Sequence, residues 1–260
     1  MDIIAKISEE LGIKKQQTEA AVKLIDEGNT IPFIARYRKE VTGALGDETL
    51  RNLFERLGYL RNLEERKETV LASIREQGAL TEELAAQLAA AETMVVVEDL
   101  YRPYKPKRRT RATIAKEKGL EPLADIISLQ VIKTPLAEEA EKFIDADKGV
   151  MTADDAIAGA KDILAERISD EADYRSRIRE MTMKKGRMVS AAKDEKAESV
   201  YEMYYAFDEP VAKLAGHRIL ALNRGENEKF LTVRVEAPED EVLRYLERQV
   251  IVQDNPQTAG

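Results

Sequence analysis

Between Asp47 and Gln77 the leucines fall at positions 50, 53, 57, 60 and 63, and Val70, Leu71 and Ile74 resume the series. Steps of three and four return to one face of an α-helix, so the stretch predicts one long amphipathic helix. Lys67 interrupts the stripe and Gly58 weakens the helix locally. Gly78 ends it, and Thr81 can start a shorter helix over 81–91, with Glu83 among the acids that favour its N-terminal end. The two read as a helical hairpin whose leucine stripe is a packing surface.

The flanking segments repeat this pattern. Ile3, Ile4, Ile7 and Leu11 give a helix over 2–11, Gly12 breaks it, and a second helix over 14–27 stops at Gly28. This is a helix-turn-helix-like start, a weak signal shared by many small bundles. In residues 29–46, Asn29 or Thr30 can cap a helix and Pro32 sits in its first turn. Phe33, Ile34 and Tyr37 are expected to be buried. Arg36, Arg38 and Lys39 are expected to lay their stems on the core and pair with nearby Glu. Short helices follow over 120–128 and 135–144, and a turn over 147–149. A second long helix is expected over 152–183, with Ile157, Ile163, Leu164, Ile168 and Ile178 on its apolar side. Residues 217–237 read as a β-hairpin turning at Arg224–Asn227, with a helix over 239–248 behind it. The fold class is therefore mainly α: an elongated multi-helix module with two long helices and one small β-hairpin near the C-terminal end.

Composition agrees with a helical, strongly solvated protein: charged residues make up 35%, aromatics 5%, and there is no Trp. The absence of Cys excludes disulfides and thiolate chemistry and suits a reducing compartment, so a cytoplasmic location is expected. The first residues carry charges throughout and do not form a signal peptide, and no apolar run is long enough to span a bilayer.

Against a net charge of −8, one stretch stands out. Arg102, Lys105, Lys107, Arg108, Arg109 and Arg111 lie within ten residues that contain no acid, beside Tyr101 and Tyr104. Pro103 and Pro106 forbid a regular helix there and stiffen the loop. Arg and Lys on a constrained loop suit phosphate oxygens, and the tyrosine rings could stack on bases. The candidate nucleic-acid-binding residues are Arg102, Tyr104, Lys105, Lys107, Arg108, Arg109 and Arg111. Two alternatives stay open, pairing with neighbouring acidic helices and contact with a protein partner. Arg175, Arg177, Arg179, Lys184, Lys185 and Arg187 form a second basic cluster, read as a solvated helix face.

Little else in the sequence suggests chemistry. His217 is the only His, and no Cys or Ser nucleophile pattern accompanies it. There is no phosphate-binding glycine loop and no metal-ligand cluster; Asp154 and Asp155 suit a helix N-terminus better than a metal. No catalytic residue, metal or cofactor is assigned, and the expectation is that the chain is not an enzyme.

Three stretches carry a family resemblance: IPFIARYRKEVTGALGDETL, DLYRPYKPKRRTRATIAKEKGLEPLA and HRILALNRGENEKFLTV. In that order they resemble the N-terminal region of the Tex family of bacterial transcription accessory proteins, over essentially the whole chain. That family is similar to a eukaryotic transcription-elongation factor that also acts as a histone chaperone. The resemblance implies a longer parent that continues into RNase H-like, helix-hairpin-helix and nucleic-acid-binding S1 domains, none of which is in this sequence. It implies nucleic acid, RNA or DNA, as a partner, transcription machinery as another, and no membrane. Four segments are expected. Residues 1–46 form a helical lobe that packs with 190–250. Residues 47–189 hold the long helices and a basic loop at 102–118. Residues 190–253 hold the hairpin, and 254–260 are a polar tail. Two functions follow: a non-catalytic scaffold that binds phosphates through the basic loop, or an architectural module that positions downstream domains without binding nucleic acid.

Overall fold

The computed structural model describes residues 1–106, 108–253 and 255–258. Among these it is mainly α, 65% helical, with fourteen α-helices and a three-stranded antiparallel sheet. The chain divides into two units, Met1–Tyr104 and Lys105–Gly260.

The first unit is all helical: α1 (Ile3–Leu11), α2 (Lys15–Asp26), α3 (Ile31–Tyr37), α4 (Lys39–Thr42), α5 (Asp47–Glu76), α6 (Glu82–Ala90) and α7 (Met94–Tyr101). The chain turns between α1 and α2 at Gly12, whose φ of +63° lies in the left-handed region where a Cβ is unfavourable. Across that turn the Ser8 and Thr18 hydroxyls meet at 2.8 Å in the interior, so neither is buried unpaired.

Helix α5 is the long helix read from the leucines. Leu50, Leu53, Leu57, Leu60, Leu63, Val70 and Ile74 are all essentially inaccessible, packed with Ile7, Ile34, Leu88 and Val97 from the surrounding helices. Each such side chain contributes about 1.5–3 kcal/mol on leaving water, which makes this stripe the main source of the unit's cohesion. Lys67 lies in the stripe and is buried too: its ammonium donates to the Ala89 carbonyl at 3.1 Å and sits 2.8 Å from Glu64 Oε1. The hydroxyls of Thr81 and Thr93 cap α6 and α7 by accepting from Leu84 N and Val96 N. One burial expectation fails here. Ile34 is buried and Phe33 is half-covered, but Tyr37 at the end of α3 is 60% exposed.

The second unit contains α8 (Arg111–Glu117), α9 (Glu121–Leu129), α10 (Leu136–Glu141), α11 (Ala153–Asp170), α12 (Ala172–Lys185), β1 (Arg187–Ala192), β2 (Ala206–Pro210), α13 (Gly216–Asn227), β3 (Leu231–Glu236) and α14 (Glu239–Val250). Helices α8–α11 close around Ala112, Ala115, Leu120, Leu123, Val150, Ala156, Ala160 and Ile163. A smaller core joins Tyr201, Tyr204, Leu222 and Leu231 beside the sheet.

Two sequence expectations are corrected in this unit. The helix expected over 152–183 is two helices, because Glu171 leaves the helical region (φ −66°, ψ 118°) between α11 and α12. Asp170, Glu171 and Asp173 crowd this point, and acids are more stable at a helix start than in a helix interior. The apolar series also lapses there: α11 buries Ala156, Ala160 and Ile163, whereas α12 has no fully buried residue.

The β-hairpin over 217–237 is the second correction. Residues 216–227 are helical, and only the expected return strand exists, as β3. Its partner is β1, with Met188 opposite Val235, Ser190 opposite Val233 and Ala192 opposite Leu231. Strand β1 also pairs with β2, giving the order β2-β1-β3. Gly225 makes no hairpin turn. A Cβ there would lie 2.6 Å from Leu231 Cδ1 and 3.1 Å from Tyr201 Cδ1, so the glycine lets α13 approach β3 closely.

Part of the expected polar tail is held in place. The Gln130 side chain donates to Val250 O at 2.7 Å and accepts from the N–H groups of Val252 and Gln253 at 3.0 Å. Asn255 in turn donates to the carbonyls of Gln130 and Ile132 at 2.8 and 2.9 Å. Asp254, Ala259 and Gly260 lie outside the described residues.

Candidate nucleic-acid interface

The candidate residues begin in the first unit, where α7 runs into a single 3₁₀ turn over Arg102–Tyr104. Pro103 lies in that turn and stops the α-helix, as the sequence requires. Arg102 is exposed. Tyr104 is half-buried, its ring is packed on the edge of the first unit's core, and its carbonyl accepts from Gln77 Nε2 at 3.0 Å. Tyr101 is not available to stack on a base. It is 8% exposed, its hydroxyl bonds to Ser73 at 3.0 Å, and the Arg66 guanidinium covers its ring at 5.3 Å.

In the second unit Lys105, Arg108, Arg109 and Arg111 are all exposed, and Lys107 lies outside the described residues. The loop is shorter than expected. Residues 111–117 are helical, and Arg111 is the first residue of α8 rather than part of a loop reaching 118. Thr110 caps that helix by accepting from Thr113 N at 3.0 Å, and its hydroxyl also donates to Glu166 at 3.0 Å. Ala112 and Ala115 then seat α8 against α11. The segment is therefore positioned by prolines, a threonine cap and two small apolar contacts.

Its charges are partly engaged. Arg109 pairs with Glu117 at 2.9 Å and Arg111 approaches Asp162 at 3.4 Å, while Arg108 has no hydrogen bond or ion pair among the described residues. Both pairs are open to water: the Arg109 and Arg111 side chains are 69% and 86% exposed. Such pairs contribute about 0–1 kcal/mol, so a phosphate can displace the carboxylate at little cost.

The other charged groups fall into place more simply. Arg177 pairs with Glu180, Lys185 with Glu241 and Arg187 with Asp208, which fits a solvated face for the second cluster. Asp155 completes a capping box with Thr152. The Thr152 side chain and the Met151 N–H hold its carboxyl below the usual carboxylate value. Among the described residues no cluster of His, Asp and Glu could hold a metal ion. His217 is exposed in the first turn of α13 instead of starting a strand. The expectation for Arg36, Arg38 and Lys39 is also corrected. None pairs with an acid among the described residues, and the two guanidinium groups lie over aromatic rings. Charge counting alone missed this arrangement, although the alternation of aromatic and basic residues in PFIARYRK was visible.

Two family models cover most of the chain: the Tex-like protein N-terminal domain matches residues 1–75 and the Tex central region matches 133–258. The chain belongs to the Tex family. It is similar to the protein named tex of Bordetella pertussis, 47% identical over 235 residues, covering 90% of this chain and 30% of the relative. It is 42% identical over 244 residues to the transcriptional accessory protein Tex of Neisseria gonorrhoeae, covering 93% of this chain and 32% of that one. A human S1 RNA-binding domain-containing protein is 30% identical over 257 residues, covering 94% of this chain and 25% of its own length. The chain thus spans a third or less of these Tex relatives and the human protein. The basic segment at 102–111 falls between the two matched models, so neither family description accounts for it.

Proposed function

We propose that this chain is a non-catalytic, nucleic-acid-binding part of a cytoplasmic transcription accessory protein, contacting phosphates through residues 102–111. The observation that carries this reading is the exposure of Lys105, Arg108, Arg109 and Arg111 on a segment framed by the turn at Pro103 and the Thr110 helix cap. The names of the relatives point the same way, toward transcription and RNA. Transcription machinery is a further partner on this reading. No helix among the described residues is long and apolar enough to cross a membrane.

Titrating labelled duplex and single-stranded oligonucleotides at several salt concentrations tests the proposal. Three or four phosphate contacts give a slope of log affinity against log salt of roughly −2 to −4, from about −0.9 per contact on duplex and −0.7 on single strands. Replacing Arg108, Arg109 and Arg111 together with Ala flattens that slope and weakens all sequences about equally. Equal binding by wild type and triple variant rules out the segment as the contact.

The ion pairs Arg109–Glu117 and Arg111–Asp162 favour a second reading, in which the basic residues tie the fold and the chain is an architectural module. On that reading the triple variant loses stability and the wild type has no salt-dependent affinity to lose.

A further inference from the structure

A second cationic surface lies in the first unit, on α3 and the start of α4. Arg36, Arg38 and Lys39 are exposed and make no ion pair among the described residues. That is unusual for this chain, in which acids outnumber bases 49 to 41. On neighbouring α5, Arg51, Arg56, Arg61 and Arg66 each hold a carboxylate, from Asp47, Glu10, Asp26 and Glu98.

Aromatic rings take the place of carboxylates here. The Arg38 guanidinium lies 5.1 Å from the centroid of the Phe33 ring, and that of Arg36 lies 5.9 Å from Tyr37. The two rings are 5.3 Å apart and tilted by 46°. A guanidinium over a ring face is oriented without spending its in-plane N–H donors. Among the described residues the side-chain hydrogen bond from these three cations is a long contact of 3.4 Å from Arg38 to the Tyr37 carbonyl. The array is held on a rigid base, since Ile34 on the same helix is fully buried against α5. Tyr37, at 60% exposure, presents a ring to solvent beside three cations.

We propose that Phe33–Lys39 is a binding site for single-stranded nucleic acid, with Arg36, Arg38 and Lys39 meeting phosphates and Tyr37 stacking on a base. The ring decides between ligands. Duplex bases are already stacked and cannot use it, whereas an unpaired base can, in any sequence. An acidic peptide would satisfy the cations but leave the exposed ring unused. This site is independent of residues 102–111 and stands or falls separately from them.

The test is fluorescence anisotropy of the full chain with labelled 12-mers of oligo-U and oligo-dT, from about 50 to 200 mM salt. Arg36→Ala/Arg38→Ala should make the salt slope shallower by about 1.4, two contacts at about 0.7 each. Tyr37→Ala should weaken binding at least about five-fold, the lower end of a lost base stack, while Tyr37→Phe binds like wild type. Arg36→Gln and Lys39→Gln, which keep side-chain bulk, carry the slope test if Tyr37→Ala fails to fold. Folded variants that bind like wild type overturn the site. Displacement of oligo-U by polyglutamate at equal charge concentration also overturns it, because the surface would then select any polyanion. Loss of binding in the 108/109/111 variant alone supports only the loop. Loss in the α3 variants alone supports only this site, and a wild type that binds neither oligomer at the lowest salt overturns it.

Discussion

Replacing Lys67 with Met tests how a cation is held inside the leucine stripe. Lys67 is 4% exposed, and its ammonium donates to Ala89 O at 3.1 Å and lies 2.8 Å from Glu64 Oε1; the other Glu64 oxygen accepts from the chain's N-terminal amine at 3.0 Å. Ala89 is in the last turn of α6, where carbonyls lack helical partners and a positive charge is favourable. Met keeps much of the volume, so the packing loss is small. The polar loss is larger. The Ala89 carbonyl is only part-buried and water can replace its donor, so its loss lies at or below the low end of about 1–3 kcal/mol, while removing one member of a buried ion pair costs about 3–5 kcal/mol. Glu64 is 29% exposed and keeps the amine, which places the sum near the lower end, about 2–3 kcal/mol. Urea denaturation at pH 7 reads this directly. Its pH dependence is a second check. Burial pushes the Glu64 carboxyl up, but the Lys67 ammonium and the N-terminal amine outweigh it and hold the folded value below 4.5. Stability from this group is therefore present above the unfolded value and lost as pH falls through the folded one. Without Lys67 that acid-sensitive component shrinks, so the gap between wild type and variant narrows below about pH 4. A change at pH 7 under about 0.5 kcal/mol, the scale of an exposed pair, or a gap constant down to pH 3 would refute the reasoning.

Leu57→Ala, at a side chain 2% exposed, should cost about 2–5 kcal/mol, and an unchanged denaturation midpoint would contradict the packing of α5. Gly58 beside it is exposed and meets nothing within 4 Å, so Gly58→Ala should stabilise by about 0.5–1 kcal/mol in the same assay. Gly186 joins α12 to β1, and a Cβ there would lie 2.4 Å from Thr182 O and 3.0 Å from Glu236 O. These are backbone atoms that cannot swing aside, so Gly186→Ala should lower the melting midpoint, at a cost of about 1–3 kcal/mol or more. Replacing Arg108, Arg109 and Arg111 together with Ala should change stability by about 1 kcal/mol at most, because the pairs it removes are exposed.

What the sequence made legible follows from which forces act locally. Helix α5 was readable because its core contacts repeat at the helical period over thirty residues, and its neighbours because Gly12, Gly28 and Thr81 mark their ends. Helix α13 was not. Ile219, Leu220, Ala221 and Leu222 form a continuous apolar run, which fits a strand or a helix equally, and Arg224-Gly225-Glu226-Asn227 resembles a turn. The structure resolves the ambiguity through contacts distant in sequence. Gly225 is needed by Leu231 and Tyr201, and β3 takes β1, some forty residues earlier, as its partner. Strand pairing of that range leaves no local signature.

The charged residues divide along the same line. Their positions are written in the sequence, but their partners are not, because an ion pair depends on which helix faces are adjacent. Residues 102–111 and 36–39 look alike as basic runs. In the structure Arg109 and Arg111 find Glu117 and Asp162, whereas Arg36 and Arg38 lie over rings and pair with no acid among the described residues. A phosphate must displace a carboxylate from Arg109 or Arg111, but at Arg36 and Arg38 it meets guanidinium groups that hold no carboxylate among the described residues. Of the two surfaces, α3 therefore needs less reorganisation to bind, although the loop holds more charge. Salt dependence measures charge and not reorganisation, so the loop should dominate the slope while α3 contributes disproportionately to affinity at high salt, where stacking survives screening.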